Sequence, residues 1–184
     1  LDPRGAARWE AKYAGTSLGQ SQLLGVDMEV PEGACWPLLG LQREKYLTSL
    51  SAAMRERPDE FAWKRHLGGM DWGTSDSHLA SSPLGSITNT GALWVRKWFR
   101  SGSGSSKAMI DWLKEAKLEV PASAMAIDRS QWSLADWVQD AGVMPLKGDR
   151  EVEWRVSLVQ GETEKGTIFF DSDDPDVREA FDFL

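Results

Sequence analysis

The sequence predicts an α+β domain dominated by helices, with a C-terminal β-hairpin and a long irregular N-terminal arm. Glycine and proline are frequent in residues 1–40, and apolar residues recur at helical spacing in the middle of the chain. Apolar and polar residues alternate strictly near its C-terminal end. The chain has 184 residues, 41% of them hydrophobic and 27% charged. These values are typical of one globular domain and exclude a disordered or collagen-like chain.

Residues 1–40 contain six glycines and three prolines, which forbid a long helix and predict an extended arm. Trp9, Tyr13 and Trp36 are large aromatic residues on this arm, and they are typical of anchors that lie along a protein surface. The predicted organisation is therefore an arm over residues 1–40, followed by a single α+β domain over residues 41–184.

The first part of this domain is predicted to contain a helix over 41–57, a short helix after Pro58, a loop and a further helix. Apolar residues form one stripe over 41–57, which predicts a helix ended by Pro58. Turn-forming residues dominate 68–90 and predict an irregular loop, whereas 93–100 fits a helix better than a strand. The run SGSGSS at 101–106 has the composition of a flexible connector, native or engineered.

A short internal repeat predicts two amphipathic helices. The segment Asp111–Ala116 recurs 25 residues later as Asp136–Ala141, in similar order of residue types. Two copies are fewer than a solenoid requires, so the interpretation is two similar core helices. Each copy places apolar residues at helical spacing, with a tryptophan in the stripe: Met109, Trp112, Leu113 and Ala116 in the first, and Leu134, Trp137, Val138 and Ala141 in the second.

The C-terminal part is predicted to form a hairpin and a short helix. Residues 151–160 alternate strictly between apolar and polar, which indicates a half-buried strand. A turn over 161–166 would return the chain into a second strand at 167–170. Asp174 then has the position of an N-cap, with Pro175 in the first turn of the last helix.

The charge of the chain is −7, and the negative excess is concentrated at the C-terminal end, where residues 171–184 hold six acids and one base. The absence of a basic field predicts that nucleic acid is not a partner. No apolar stretch approaches the roughly 18 residues of a membrane-spanning helix. Residues 1–25 lack the layout of a signal peptide, and the chain begins at Leu1, as a trimmed or processed chain would. An intracellular site or an organelle interior is favoured, because Cys35 is the single cysteine.

Few residues suggest chemistry. The two histidines and Cys35 match no metal-binding spacing, and no phosphate-binding or cofactor motif is present. The sequence therefore predicts neither a metal nor a cofactor, and no motif identifies a family. The loop from Asp71 to His78 gathers polar and reactive residues, and Asp76, Ser77 and His78 form the candidate catalytic group if the protein is an enzyme.

The chain contains ten tryptophans and only two tyrosines. This tryptophan content decides which functional hypothesis we rank first. Tryptophan is enriched at interface hot spots, and several of these residues lie in loop-like sequence. We therefore predict a soluble, non-catalytic accessory subunit that docks on a larger protein assembly, with peripheral membrane contact as a further option. The predicted contact residues are Trp9, Tyr13, Trp36, Trp72, Trp94, Arg96, Lys97 and Trp98.

Two alternatives remain open at this stage. One is a small hydrolase or transferase that uses the loop over residues 71–78. The other is an acidic inhibitor or immunity-type protein whose C-terminal helix would block a basic site on a partner enzyme.

Overall fold

The computed structural model describes residues 39, 42–73, 79–102, 106–148 and 152–182. The helices are α1 (Arg43–Tyr46), α2 (Leu50–Glu56), α3 (Ser106–Ala116), α4 (Ala135–Asp140), α5 (Val152–Glu164) and α6 (Pro175–Phe181), with 3₁₀ turns at Pro58–Glu60 and Arg129–Leu134. The strands are β1 (Leu47–Thr48), β2 (Arg65–Met70), β3 (Ala80–Ile87), β4 (Leu93–Ser101), β5 (Ala124–Ile127), β6 (Met144–Lys147) and β7 (Ile168–Asp171). The predicted arm falls outside the described residues except for Leu39.

A seven-stranded mixed sheet organises the chain, in the order β1-β7-β4-β3-β2-β5-β6. Strands β2, β3 and β4 form an antiparallel meander, whereas β1, β7 and β4 on one side, and β2, β5 and β6 on the other, pair in parallel. Helices pack on both faces, so the fold is α/β. The prediction of a helix-dominated α+β domain with a C-terminal hairpin is wrong.

The central strands are the main element that the sequence pattern misassigned. Residues 68–90, predicted as a loop, contain the end of β2 and all of β3, and residues 93–100, predicted as a helix, lie in β4. Pro83 lies within β3, next to a register shift between Leu84 and Gly85. Proline is tolerated inside a sheet mainly at such irregularities. Pro83 was therefore wrongly interpreted as a sign of a loop.

The predicted C-terminal hairpin is also absent, because residues 152–164 form α5 instead of a strand. The pairings of the sheet make β6 and β7 parallel to each other, and they lie on opposite sides of the meander. Parallel strands need a crossover connection, which is usually a helix. The alternation of residue types over 151–160 was therefore a coincidental match to the period of a strand.

The predicted repeat corresponds to two helices on one face of the sheet. In α3, Met109 and Leu113 are fully buried, and in α4 Val138 is fully buried in the same apolar cluster. The two core helices are confirmed. The stripe of α4 was predicted one position too wide, because Trp137 remains 46% exposed.

The opposite face is covered by α1, α5 and α6. Ile168 and Phe170 of β7 belong to this core, together with Tyr46 and Phe181. Phe169, which lies between them in the strand, packs instead beside Trp94 in another cluster, as the alternation of a strand requires. No helix among the described ranges is long and apolar enough to cross a membrane.

Two helix starts follow the expected capping chemistry. The Asp174 carboxylate accepts hydrogen bonds from the backbone N–H groups of Asp176 and Val177 at 3.0 Å, which confirms the predicted start of α6. The helix predicted over 41–57 is interrupted, since β1 intervenes and Ser49 caps a new helix, α2.

Gly68 provides a test of the strand assignment. A Cβ atom at Gly68 would lie 2.5 Å from Leu84 Cδ2 and 2.9 Å from Met125 Cε, both on fully buried side chains. We therefore expect Gly68→Ala to lower the free energy of unfolding by about 1–3 kcal/mol in chemical denaturation, because the core would be overpacked. Gly69→Ala is the matched control, since a Cβ there meets nothing within 4 Å. Equal stabilities of the two variants would contradict the strand packing.

Candidate active site at the ends of β2 and β5

Two aspartates lie at the carboxyl ends of the neighbouring parallel strands β2 and β5. Met70 and Ile127 are partners in the register of these strands, and each is followed directly by an aspartate, Asp71 and Asp128. Neighbouring strands lie about 4.8 Å apart, so the two aspartates occupy adjacent positions at one edge of the sheet. Both line a cavity of about 600 Å³. The fold thus brings together two carboxylates that are 57 residues apart in the sequence.

The backbone holds Asp71 in place, while its side chain lies at the surface. Its N–H donates to the carbonyl of Ser81, and its carbonyl accepts from the N–H of Ser81, both at 2.8 Å. This bridge continues the β2–β3 pairing one step beyond β2. Asp71 is therefore anchored to the sheet although it belongs to a turn-rich segment.

Asp128 is positioned by the turn that follows β5. Its Oδ1 atom accepts from the Ser130 N–H at 2.7 Å and from the Ser130 hydroxyl at 2.5 Å. The 3₁₀ turn Arg129–Leu134 begins at this cap. An aspartate at this position therefore starts the turn and presents a carboxylate to the cavity.

Gln131 connects the two strand ends. Its Oε1 atom accepts from the Trp72 N–H at 2.8 Å, and its Nε2 atom donates to the Trp72 carbonyl at 3.1 Å. Nε2 also donates to Asp71 Oδ1 at 3.2 Å. One amide side chain therefore contacts both the backbone after β2 and the carboxylate of Asp71.

Two exposed cations lie beside this edge. Arg129 Nε donates to the Gly148 carbonyl at 3.1 Å, and the Lys147 Nζ atom lies 4.9 Å from the ring centroid of Trp132. Gly148 lines the same cavity as the two aspartates. The edge thus combines two carboxylates with two positively charged side chains.

The rest of the cavity wall is mostly apolar. Trp98, Val95 and Phe170 line it. The Trp98 indole donates to the Ser81 hydroxyl at 2.8 Å and stacks near Phe170, with ring centroids 6.1 Å apart. A polar edge therefore adjoins an apolar wall.

Residues 93–100, which the sequence predicted as a contact patch, lie in strand β4. Trp94 is 1% exposed and stacks on Phe169, so its side chain is not part of the surface. Arg96 lies over the Trp63 ring at 5.0 Å and donates to the Ser86 hydroxyl at 3.1 Å. These two residues take part in the internal packing of β4.

Lys97 forms a partly buried ion-pair cluster. Its ammonium lies 2.9 Å from Asp174 and 3.0 Å from Glu119. Burial acts to lower the pKa of Lys97, but the hydrogen bonds to these two carboxylates outweigh it, and the pKa is raised. Burial has the opposite effect on the neighbouring Asp171 carboxyl, whose pKa it raises. Lys97 thus pairs with two carboxylates of its own chain, and Asp171 accepts hydrogen bonds from the backbone N–H groups of Leu50 and Asp173.

The structure describes only some of the other predicted site residues. Asp76, Ser77 and His78, and the contact residues Trp9, Tyr13 and Trp36, lie outside the described residues, and their roles stay predictions. Trp72 is half-buried and, like Trp132, packs against the large apolar cluster under α3 and α4. These two loop tryptophans therefore contact the core of their own chain.

Asp71 and Asp128 were missed as a pair by the sequence reasoning. Asp71 was noted only as the start of the reactive loop, and Asp128 was not singled out. The available signal was a short strand-like run followed by aspartate, GGMD and AMAID, occurring twice. That signal becomes specific only when the two strands are known to be neighbours.

Comparisons with known proteins concern the fold. No family model matches the chain, and no curated protein matches it. The large terminase of a thermophilic bacteriophage is similar, with a TM-score of 0.56 and 13% identity over 68% of this chain and 34% of that chain. Structures of that large terminase with ADP and with ATP-γ-S cover the same shares, with TM-scores of 0.55 and identities of 13% and 11%. The chain thus spans about a third of the length of these structures.

These findings correct three predictions. The chain has an α/β fold with a seven-stranded mixed sheet, and this fold is similar to that of part of a large terminase. The prediction of a non-catalytic accessory subunit is contradicted, because the fold is similar to that of part of a large terminase. The exclusion of nucleic acid is likewise wrong. It relied on net charge, which averages over the whole chain and does not describe the charge at one edge of the sheet.

Proposed function

We propose that this chain is a divalent-cation-dependent nuclease domain, which hydrolyses phosphodiester bonds in nucleic acid. The observation that carries the proposal is the position of Asp71 and Asp128, which follow register partners of adjacent parallel strands and line one cavity. In open α/β sheets, ligands bind outside the carboxyl ends of the strands. The two carboxylates are therefore placed where a substrate is expected.

The donor set fits a hard cation such as Mg²⁺. Mg²⁺ is usually held by one or two carboxylates, with waters and substrate phosphates completing its coordination. Asp71 and Asp128 supply two carboxylates, and the described part of the chain contains no cluster of three metal-ligating side chains. When bound, the cation would polarise a phosphoryl oxygen and activate water as the nucleophile.

The side chains next to the carboxylates would bind the nucleic acid backbone. Arg129 and Lys147 are exposed on the β5 side of the site, where their donors can reach phosphate oxygens. Such contacts make binding depend strongly on salt and position the substrate without reading its sequence.

The fold supports the same proposal. The chain shares it with a large terminase, at 13% identity and over about a third of that protein. The cleavage assay compares several types of nucleic acid as substrates.

A cleavage assay with metal removal tests this function. We expect the chain to cleave at least one of supercoiled DNA, linear duplex, single-stranded DNA or RNA in the presence of Mg²⁺ or Mn²⁺. Excess EDTA should abolish cleavage, and added Mg²⁺ should restore it, because the cation would polarise the phosphoryl oxygen and lower the pKa of its bound water. Cleavage that resists EDTA, or no cleavage of any substrate with either cation, would contradict the proposal. A double variant, Asp71→Asn with Asp128→Asn, purified in parallel, controls for contaminating nucleases.

A further inference from the structure

Gln131 makes an unusual set of hydrogen bonds for a residue in a short surface turn. It belongs to the turn Arg129–Leu134, and its backbone departs from helical angles, with φ −106° and ψ 17°. This local conformation accompanies an amide that contacts Trp72, which lies 59 residues away in the sequence. The contacts therefore join two loops that only the sheet brings together.

The chemistry of these contacts requires a primary amide. The Oε1 atom accepts one N–H, and the two hydrogens of Nε2 serve the Trp72 carbonyl and the Asp71 carboxylate. A glutamate would provide the acceptor but neither donor. An asparagine is one methylene shorter and would not span the same distance. Both donors and the acceptor oxygen of this side chain are thus engaged in these three contacts.

A neutral donor suits a carboxylate that must also bind a cation. A lysine or arginine in this place would neutralise Asp71 and compete electrostatically with a metal ion. The amide instead orients the carboxylate through Oδ1 and leaves its negative charge in place. The Oδ2 atom can then face the cavity.

We propose that Gln131 is a positioning residue, which orients the Asp71 carboxylate for a divalent cation and holds the ends of β2 and β5 in register. This inference rests on the proposed metal-dependent function and adds a residue to its site. Groups that orient a metal ligand typically contribute about 10–100-fold to metal affinity or activity.

The test compares Gln131→Met, Gln131→Glu and a surface control, Gln139→Glu, which lies exposed on α4. Mn²⁺ affinity is measured by electron paramagnetic resonance of the free ion, so the result does not depend on cleavage. We expect Gln131→Met to weaken Mn²⁺ binding by about 10–100-fold, because Asp71 would lose its orienting hydrogen bond. Gln139→Glu should bind Mn²⁺ as the wild type does.

Thermal unfolding of the same variants separates positioning from a purely structural role. Gln131→Glu keeps the acceptor for the Trp72 N–H but lacks the donor to Asp71, so its Mn²⁺ affinity should also differ from that of the wild type. Lower thermal stability in both variants with the Mn²⁺ affinity of the wild type would indicate a purely structural residue and would overturn the inference. If the wild type binds Mn²⁺ but cleaves no nucleic acid, the proposed function fails while the role of Gln131 in metal binding is still decided by these titrations.

Discussion

The variants Asp71→Asn and Asp128→Asn should each lose Mg²⁺-dependent cleavage by at least about 100-fold, since altering even outer-sphere partners of a metal costs roughly 10–100-fold. Asparagine keeps the size and one oxygen of aspartate but removes the charge that attracts the cation. The loss should appear in kcat at saturating substrate, with a smaller effect on binding of nucleic acid. The measurement is the initial rate of cleavage on the substrate identified with the wild type.

The folded structure should survive both replacements. Asparagine is as good an N-cap as aspartate, so the turn that Asp128 begins can form in the variant. At Asp71, the asparagine carbonyl can still accept from Gln131. Asp140→Asn, at an exposed position of α4, is the matched control and should cleave at the wild-type rate. Full activity in Asp71→Asn or Asp128→Asn with an unchanged requirement for metal would place the reaction elsewhere.

The largest expected effect on stability is at Trp94. This side chain is 1% exposed, and its ring stacks on Phe169 at 5.0 Å and packs near Phe61 at 5.5 Å between centroids. Trp94→Ala should lower the free energy of unfolding by about 3–5 kcal/mol, because it removes a large buried side chain and leaves a cavity. Chemical denaturation monitored by circular dichroism provides the measurement.

The control for Trp94 is another tryptophan with a different environment. Trp137 is 46% exposed on α4, so Trp137→Ala should change stability much less. A small effect at Trp94 would indicate that residues 93–100 form an exposed surface, as the sequence pattern first suggested, and would contradict the central position of β4.

The elements that the sequence predicted correctly are those with local signals. The stripes of α3 and α4 repeat at helical spacing, and Asp174 with Pro175 marks the start of α6. Such signals depend on residues within one or two turns of each other. The acidic C-terminal end was noticed for the same reason, and the capping role of Asp174 was predicted, whereas the burial of Asp171 and the ion pair of Asp174 were not. Asp171 is buried, and Asp174 caps a helix and pairs with Lys97, so these two acids stabilise the fold.

The candidate site was not predictable from these local signals. Asp71 and Asp128 each follow a short strand, and nothing in either segment indicates that the two strands pair. Net charge was misleading as well, because it averages over the chain, whereas the proposed metal site depends on two carboxylates at one edge of the sheet. The tryptophans show the same difficulty, since Trp72 and Trp132 resemble exposed loop residues in the sequence but contact the core.

The sequence by itself determined the amphipathic helices, the capped C-terminal helix and the size of a domain able to bury a core. Only the tertiary structure decided that β4 is a strand, that α5 is a crossover helix and that two aspartates share one edge. The physical reason is that strand pairing joins segments far apart in the chain. Its energy comes from hydrogen bonds and packing with partners that no local window of sequence contains.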